Sequence, residues 1–228
     1  MEVVLLSPDF KYNLNNSFNE SDVASIKELP AKKVKESILG KIALKKAYNL
    51  YNQRAQDHKR IEILKNKDGM PFIKNNPKLS CSISHSSGYA VATVGSKTIG
   101  IDIEKIRAHK KELSDYLLLP EELRHVSERN LNLTITKTWV IKEAVLKAIG
   151  LGFKLSPKKI KICKKVKNNY LVTINNEDRL HKKKFNVLAF RWKSFYIAIA
   201  METHKDEKYK INWNNLTSVQ LPKIKDFY

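Results

Sequence analysis

Three carboxylates stand out by type and spacing. Asp102 and Glu104 are separated by a single residue in TIGIDIEKI, and Glu143 lies downstream in TITKTWVIKEAVLKAIG. If the first stretch is a strand, side chains alternate, so Ile99, Ile101 and Ile103 take one face and Gly100, Asp102 and Glu104 the other. The isoleucine face belongs to a core. On the opposite face the carboxylates repel each other, and a third is unfavourable unless a cation or a base neutralises them. Oxygen ligands without His or Cys select Mg²⁺ or Mn²⁺ over zinc, and Mg²⁺ commonly completes its shell with water and substrate phosphate oxygens. Acids amid abundant lysine are therefore the composition of a phosphate-handling site. The same residues also fit plain surface: Asp102, Glu104 and Lys105 as a solvated strand face, Glu143 and Lys147 as an ordinary i, i+4 helix pair.

The elements that must position these groups are partly legible. Residues 31–55 predict a helix, with Val34, Ile38 and Ile42 at four-residue spacing and Gly40 as a weak point. Residues 66–80, with Asp68-Gly69 and two prolines, predict turn and loop. Apolar runs on either side of Gly95-Ser96 predict a hairpin, with the acidic pair near the end of its second strand. One or two helices broken at Pro120 are expected next.

Residues 134–150 predict a helix that Thr134 or Thr136 would cap and Gly150 would stop. On its wheel Ile141, Ala144, Val145 and Ala148 share the core arc, while Trp139, Glu143 and Lys147 line up on roughly the other side. YLVTINN, FNVLAFRW and SFYIAIAMET predict strands of an antiparallel sheet. Each half offers a helix and paired strands, which predicts two similar α+β lobes, residues 1–100 and 101–205, with a cleft between them as the default binding site and a basic tail over 206–228.

A chain of 228 residues with 42% apolar and 29% charged residues is in the globular range. Cys81 and Cys163 have no C-x-x-C or His-rich company, so neither a disulfide framework nor a zinc site is expected. The start MEVVLLSPDF has no basic leader and too short an apolar run for a signal peptide or a spanning helix, which predicts a cytoplasmic protein. The net charge of +20 implies attraction to something acidic, although a Lys-, Asn- and Ile-rich chain is also what AT-biased coding produces.

IGIDIEKI together with WVIKEAVLKAIGLG resembles the paired signature of the 4′-phosphopantetheinyl transferases, G-[IV]-D-x-E followed by W-x-x-K-E-[AS]-x-x-K-x-x-G-x-G. The matching positions are Gly100, Asp102 and Glu104, then Trp139, Lys142, Glu143, Ala144, Lys147, Gly150 and Gly152. The segment from Met70 to Lys105, with Ser84, His85 and Ser86, is similar to the Sfp-type branch. This resemblance implies a pseudo-twofold, monomeric α+β fold with the active site between the lobes. It further implies Mg²⁺ (or Mn²⁺) held by Asp102, Glu104 and Glu143, with coenzyme A as co-substrate and an acidic apo carrier protein or domain as acceptor.

The resemblance also implies roles residue by residue. Lys147 would reach the pyrophosphate and serve the departing nucleotide as proton donor, with Glu143 beside it. Lys142 would assist the same phosphates or be a solvated lysine. Ser84 and His85 would contact coenzyme A near its 3′-phosphate, and Gly69 and Pro71 match a G-K-P turn against the adenine, with Met70 in place of the lysine. Glu122 matches the proposed general base for the attacking serine, and it is also what the first turn of a helix after Pro120 favours. Lys32, Lys33 and Lys35 precede ESILG where the family presents a basic residue to the 3′-phosphate, with Glu36 at the expected basic position. The alternative reading is a basic nucleic-acid-binding protein; the chain has no RNP-type aromatic pair and no zinc motif to support it. No membrane association is expected.

Overall fold

The computed structural model describes residues 1–123, 130–174 and 183–203. The basic tail predicted over 206–228 lies outside them. The chain is an α+β protein that divides into two compact units, the first Met1–Thr98 and the second beginning at Ile99.

The first unit runs β1 (Glu2–Leu6), α1 (Leu14–Ser17), α2 (Glu20–Lys27), α3 (Ala31–Asn52), β2 (Ile63–Lys65), β3 (Pro71–Ile73), β4 (Ser80–Ser86) and β5 (Tyr89–Gly95). An antiparallel sheet of order β1-β5-β4 carries α3 across one face, burying Ile38, Leu39, Ile42 and Ala43 of the helix against Val4, Leu6, Ala90 and Ala92 of the strands. Gly40 is a requirement of that contact rather than a weakness: a Cβ there would stand 2.7 Å from Ile83 Cγ2. The stretch expected to be all turn and loop contains β3, because Ile73 is buried and pairs with Ile63. Lys45, fully buried on α3, ties the unit's other pieces together. Its ammonium donates to Asp22, to Ser17 O at 2.9 Å and to His58 O at 2.9 Å, while Lys41 Nζ holds the other Asp22 oxygen at 2.9 Å. Burial lowers the Lys45 pKa and the Asp22 carboxylate opposes it.

The second unit comprises β6 (Ile99–Lys105), α4 (Lys111–Leu117), α5 (Pro120–Leu123), α6 (Leu131–Ile149), β7 (Ile160–Val166), β8 (Asn169–Ile174), β9 (Lys184–Trp192) and β10 (Phe195–Thr203). Its sheet has the order β6-β10-β9-β8-β7, antiparallel throughout, with a register shift in β7 between Ile162 and Lys164. The predicted hairpin between β5 and β6 is not formed. β5 is flanked by β1 and β4, and β6 pairs with β10, Ala198 opposite Asp102 and Ala200 opposite Gly100. Small residues decide that choice. Gly100, Ala198, Ala200 and Ala189 leave a shallow face into which α6 sinks with Ala144 and Ala148. A Cβ on Gly100 would stand 2.0 Å from Ala144 O and 2.6 Å from Ala148 N, so strand and helix backbones touch where no side chain fits.

Helix α6 is longer at its start than predicted. It begins at Leu131 after Asn130, so neither Thr134 nor Thr136 caps it; Thr136 Oγ1 instead donates back to Asn132 O at 2.8 Å and lies 2.7 Å from His109 Nε2. Gly150 ends the helix in the left-handed conformation, φ 74°, as predicted. Ile141, Ala144, Val145 and Ala148 are all buried. Leu117 and Leu118 pack on Ile135, with Leu113, Leu131 and Trp139 around them, and this small cluster fixes α4 and the start of α5 on α6. No helix among the described residues is long and apolar enough to cross a membrane.

Two substitutions check this packing. Gly100→Ala forces backbone atoms apart, and we expect it to lower unfolding free energy by at least about 3 kcal/mol in denaturant titrations; wild-type stability would mean that β6 and α6 are not in contact. Asp22→Ala leaves Lys45 charged and buried, with an expected loss of about 3–5 kcal/mol; a loss below about 1 kcal/mol would place Lys45 in solvent.

Candidate functional site

The close approach of β6 and α6 assembles the first group of charges. Asp102, two residues after Gly100 on the side that meets the helix, is 5% exposed, and its Oδ1 accepts from Lys147 Nζ at 2.7 Å. Glu143, one turn before Lys147 on α6, is 8% exposed, and its Oε1 is buried with no hydrogen-bond partner. Burial pushes the Glu143 carboxyl up to about 7; the neighbouring Asp102 charge adds to the shift and the Lys147 ammonium opposes it. Asp102 and Glu143 are thus buried together, with the partly exposed Lys147 ammonium on Asp102. The reading of Asp102 and Glu143 as solvated surface is corrected by their burial. Glu104, also on the Asp102 side of the strand, is only half-buried and pairs with Arg107 at 3.2 Å. Among the described residues no three His, Cys, Asp or Glu side chains are gathered into a ready-made metal cluster. The three predicted ligands therefore divide, Asp102 and Glu143 close together and Glu104 turned to its arginine.

A second pair stands on α5 and α6. Lys142 Nζ donates to Glu122 Oε2 at 2.8 Å and to Leu117 O at 2.8 Å, and the same carboxylate oxygen accepts from Leu119 N at 2.9 Å. Lys142 is fully buried, which corrects the expectation of a solvated lysine; its ammonium is directed at Leu117 and Glu122. Burial lowers its pKa and Glu122 opposes the shift. The Glu122 Oε1 atom is buried without a hydrogen-bond partner. Pro120 starts this turn, as helix-start chemistry asks, yet Glu122 also closes it by bonding back to Leu119 N. Just outside, Glu121 meets Lys161 of β7 at 3.5 Å.

The first unit holds the remaining predicted residues. Ser84 is buried on β4 and His85 is exposed at its end. His85 Nδ1 lies 3.1 Å from Glu36 Oε2, and Glu36 Oε1 accepts from Gly88 N at 3.3 Å. Glu36, noted in the sequence only as an acid at the expected basic position, is the partner of His85. The signal was present: Glu36 is one turn before Gly40 on α3, and His85 is two residues after Ile83 on β4, so the Gly40–Ile83 contact brings Glu36 to His85. Lys33 and Lys35 are exposed on α3; the Lys32 side chain is outside the described residues. Gly69 and Pro71 sit in a turn built by Asn66, whose Oδ1 accepts from Asp68 N and Met70 N, both at 2.9 Å. Gly69 has φ 82°, and nothing lies within 4 Å of where its Cβ would be, so glycine is there for conformation and not for space. Pro71 opens β3 directly after it.

The family match falls almost entirely on the second unit. Residues 98–200 match the model of the 4′-phosphopantetheinyl transferase superfamily. The chain is 26% identical over 150 residues to the 4′-phosphopantetheinyl transferase gsp of Aneurinibacillus migulanus, covering 63% of this chain and 60% of that protein. It is 31% identical over 90 residues to a 4′-phosphopantetheinyl transferase of Bacillus subtilis, covering 38% of this chain and 40% of that one. The chain thus spans less than two thirds of the length of the curated relatives it matches. The matched segment runs from Thr98 before β6 to Ala200 in β10, and so contains Asp102, Glu143 and Lys147 together with the strand and helix that bring them into contact. That segment is what the chain shares with the 4′-phosphopantetheinyl transferase superfamily.

Proposed function

We propose that this protein transfers the 4′-phosphopantetheine arm of coenzyme A to a serine hydroxyl of an apo carrier protein, releasing adenosine 3′,5′-bisphosphate. The observation that carries the reading is the pair of buried acids, Asp102 and Glu143, with Lys147 on Asp102, inside the segment that matches the superfamily. Two acids buried side by side, with a partly exposed lysine on one of them, suit a ligand that brings both a divalent cation and phosphate oxygens.

A divalent cation fits the residues present. Glu143 Oε1 is a buried oxygen without a hydrogen-bond partner, its carboxyl is raised to about 7 by burial and by the neighbouring Asp102 charge, and the oxygen-only donor set suits Mg²⁺ or Mn²⁺. Asp102 and Glu143 would hold the ion, with Glu104 joining when it leaves Arg107. When bound, it supplies Lewis-acid stabilisation to the diphosphate of the co-substrate.

The chain's own residues account for the other steps. Lys147 turns its ammonium from Asp102 toward the diphosphate, where it stabilises the departing nucleotide oxygen and donates a proton to it. Glu122 presents its unpartnered Oε1 as acceptor for the serine proton, while Lys142 and Leu119 N fix Oε2 and hence the orientation of the carboxylate. Ser84, His85, Gly69 and Pro71 serve the adenosine end of coenzyme A, and Lys33 and Lys35 add positive field there. The chemistry is phosphoryl transfer by positioning and electrostatics, the serine oxygen attacking in line with the leaving oxygen. The acceptor is an acidic carrier protein, drawn by the +20 charge in a salt-dependent manner, and the enzyme acts as a cytoplasmic monomer. The nucleic-acid reading finds no support in the relatives, both of which are named as transferases.

Incubation with coenzyme A, MgCl₂ and apo carrier protein should add a phosphopantetheine increment to the carrier's intact mass. In the same assay Glu143→Gln should lose at least about a hundredfold in kcat while keeping its fold by circular dichroism. Turnover equal to wild type in that variant would remove the role of the cluster.

A further inference from the structure

We propose that the lysine-lined edge of β7 is the surface on which the acceptor carrier protein seats an acidic face, beside Glu122. The inference rests on the transferase reading above and adds to it the place where the acceptor docks.

The sequence concentrates charge of one sign here. From Ala144 to Asn176 it holds eight lysines and no aspartate or glutamate, so the segment supplies no counter-charge of its own. Strand β7 is the outer strand of its sheet and pairs with β8. Lys161 lies opposite Thr173, Lys164 opposite Leu171 and Val166 opposite Asn169. Opposed residues share a face, and the three β8 partners are spaced by two, so the three β7 side chains point the same way. Lysines three apart on a regular strand would face opposite sides; the register shift between Ile162 and Lys164 brings them together. Their face is the one away from the core, since Tyr170, Val172 and Ile174 of β8 are buried behind it. Val166, 57% exposed, is the most exposed large apolar side chain among the described residues and sets an apolar spot within the basic strip.

Edge lysines commonly keep the strands of different molecules from pairing. That role does not account for Lys158 and Lys159, which are exposed in the turn before the strand. What the strip adjoins does. Glu121 on α5 meets Lys161 at 3.5 Å. Burial lowers the pKa of Lys142, the partner of Glu122, and the Lys158 charge adds to that lowering, which puts Lys158 on the same side of the site. A protein whose serine reaches Glu122 Oε1 therefore lies against α5 and the β7 edge, and acids on it meet Lys159 and Lys164 next. From Lys158 to Asn169 there is no arginine and no aromatic ring, so the strip offers a nucleic acid neither a bidentate fork nor a stacking surface.

The test measures transfer to one apo acyl carrier protein of negative net charge. Lys159→Gln combined with Lys164→Gln should lower kcat/KM for the carrier by about tenfold, a decade being about 1.4 kcal/mol. The loss should sit in the carrier KM, with kcat and the coenzyme A KM within about twofold of wild type, and added NaCl should erode the wild-type value more steeply than the variant's. Calorimetry with the same carrier, its acceptor serine replaced by alanine, reads the docking without turnover and should show the same loss in Kd. Both lysines are exposed, and an unchanged circular dichroism spectrum checks that the variant folds. A carrier KM and Kd equal to wild type overturn the docking surface and leave the transferase reading intact. Single-stranded RNA bound by the wild type and lost in the variant, with the carrier KM unmoved, overturns it in favour of a nucleic-acid surface. Absence of any transfer by the wild type overturns the transferase reading and this inference with it.

Discussion

The approach of two backbones at Gly100 is the constraint on which the second unit depends. Strand β6 and helix α6 meet where an added Cβ would lie 2.0 Å from Ala144 O, so the two elements are nearer than any side chain permits. Ala198 and Ala200 on β10 and Ala144 and Ala148 on the helix keep the surroundings shallow. Two residues along the strand from that point, and one residue before Ala144 on the helix, the same closeness buries Asp102 and Glu143 and sets Lys147 against Asp102. A glycine chosen for packing thus fixes the electrostatics of the charges beside it.

Burying charge is costly, and the molecule offsets the cost in three places by different means. Around Lys45 the account is complete: two backbone carbonyls and a carboxylate surround the ammonium, which reads as structural fastening. Between Lys142 and Glu122 it is nearly so, with Leu117 O and Leu119 N assisting and one carboxylate oxygen left over. At Asp102 and Glu143 two acids are buried side by side, and burial together with the Asp102 charge raises the Glu143 carboxyl to about 7, with its Oε1 left without a hydrogen-bond partner. We read that gradation as separating the group that holds the fold from the one proposed to receive a ligand. Glu122 lies between: oriented on one oxygen, open on the other.

How much of this was legible from sequence depends on how local the cause is. The helix around Glu143, its glycine stop and its apolar arc follow from nearby residues and were read correctly, as were the three closing strands. The partner of β6 was misjudged, because the apolar runs beside Gly95-Ser96 look like a hairpin while the strand that β6 chooses, β10, lies far downstream. Lys142 was read as solvated or phosphate-facing since a lysine carries no sequence mark of burial; its fate is set by Leu117 O and Glu122 on another element. Thr134 and Thr136 were credible caps until Asn130 started the helix earlier. Glu36 was noticed only as a departure from a basic pattern, and what it does instead requires knowing that Gly40 stands on Ile83. The motif residues were found by type and order, whereas their pairing was found only in three dimensions.

The central claim is that Asp102 and Glu143 form a shared oxygen site for a divalent cation. Electron paramagnetic resonance of added Mn²⁺ measures this directly, because the free ion gives a sharp signal that broadens on binding. In the presence of coenzyme A the account predicts saturable binding of one Mn²⁺ per chain, lost in Asp102→Asn. Free-ion signal undiminished by the wild-type protein, with coenzyme A present, would contradict it.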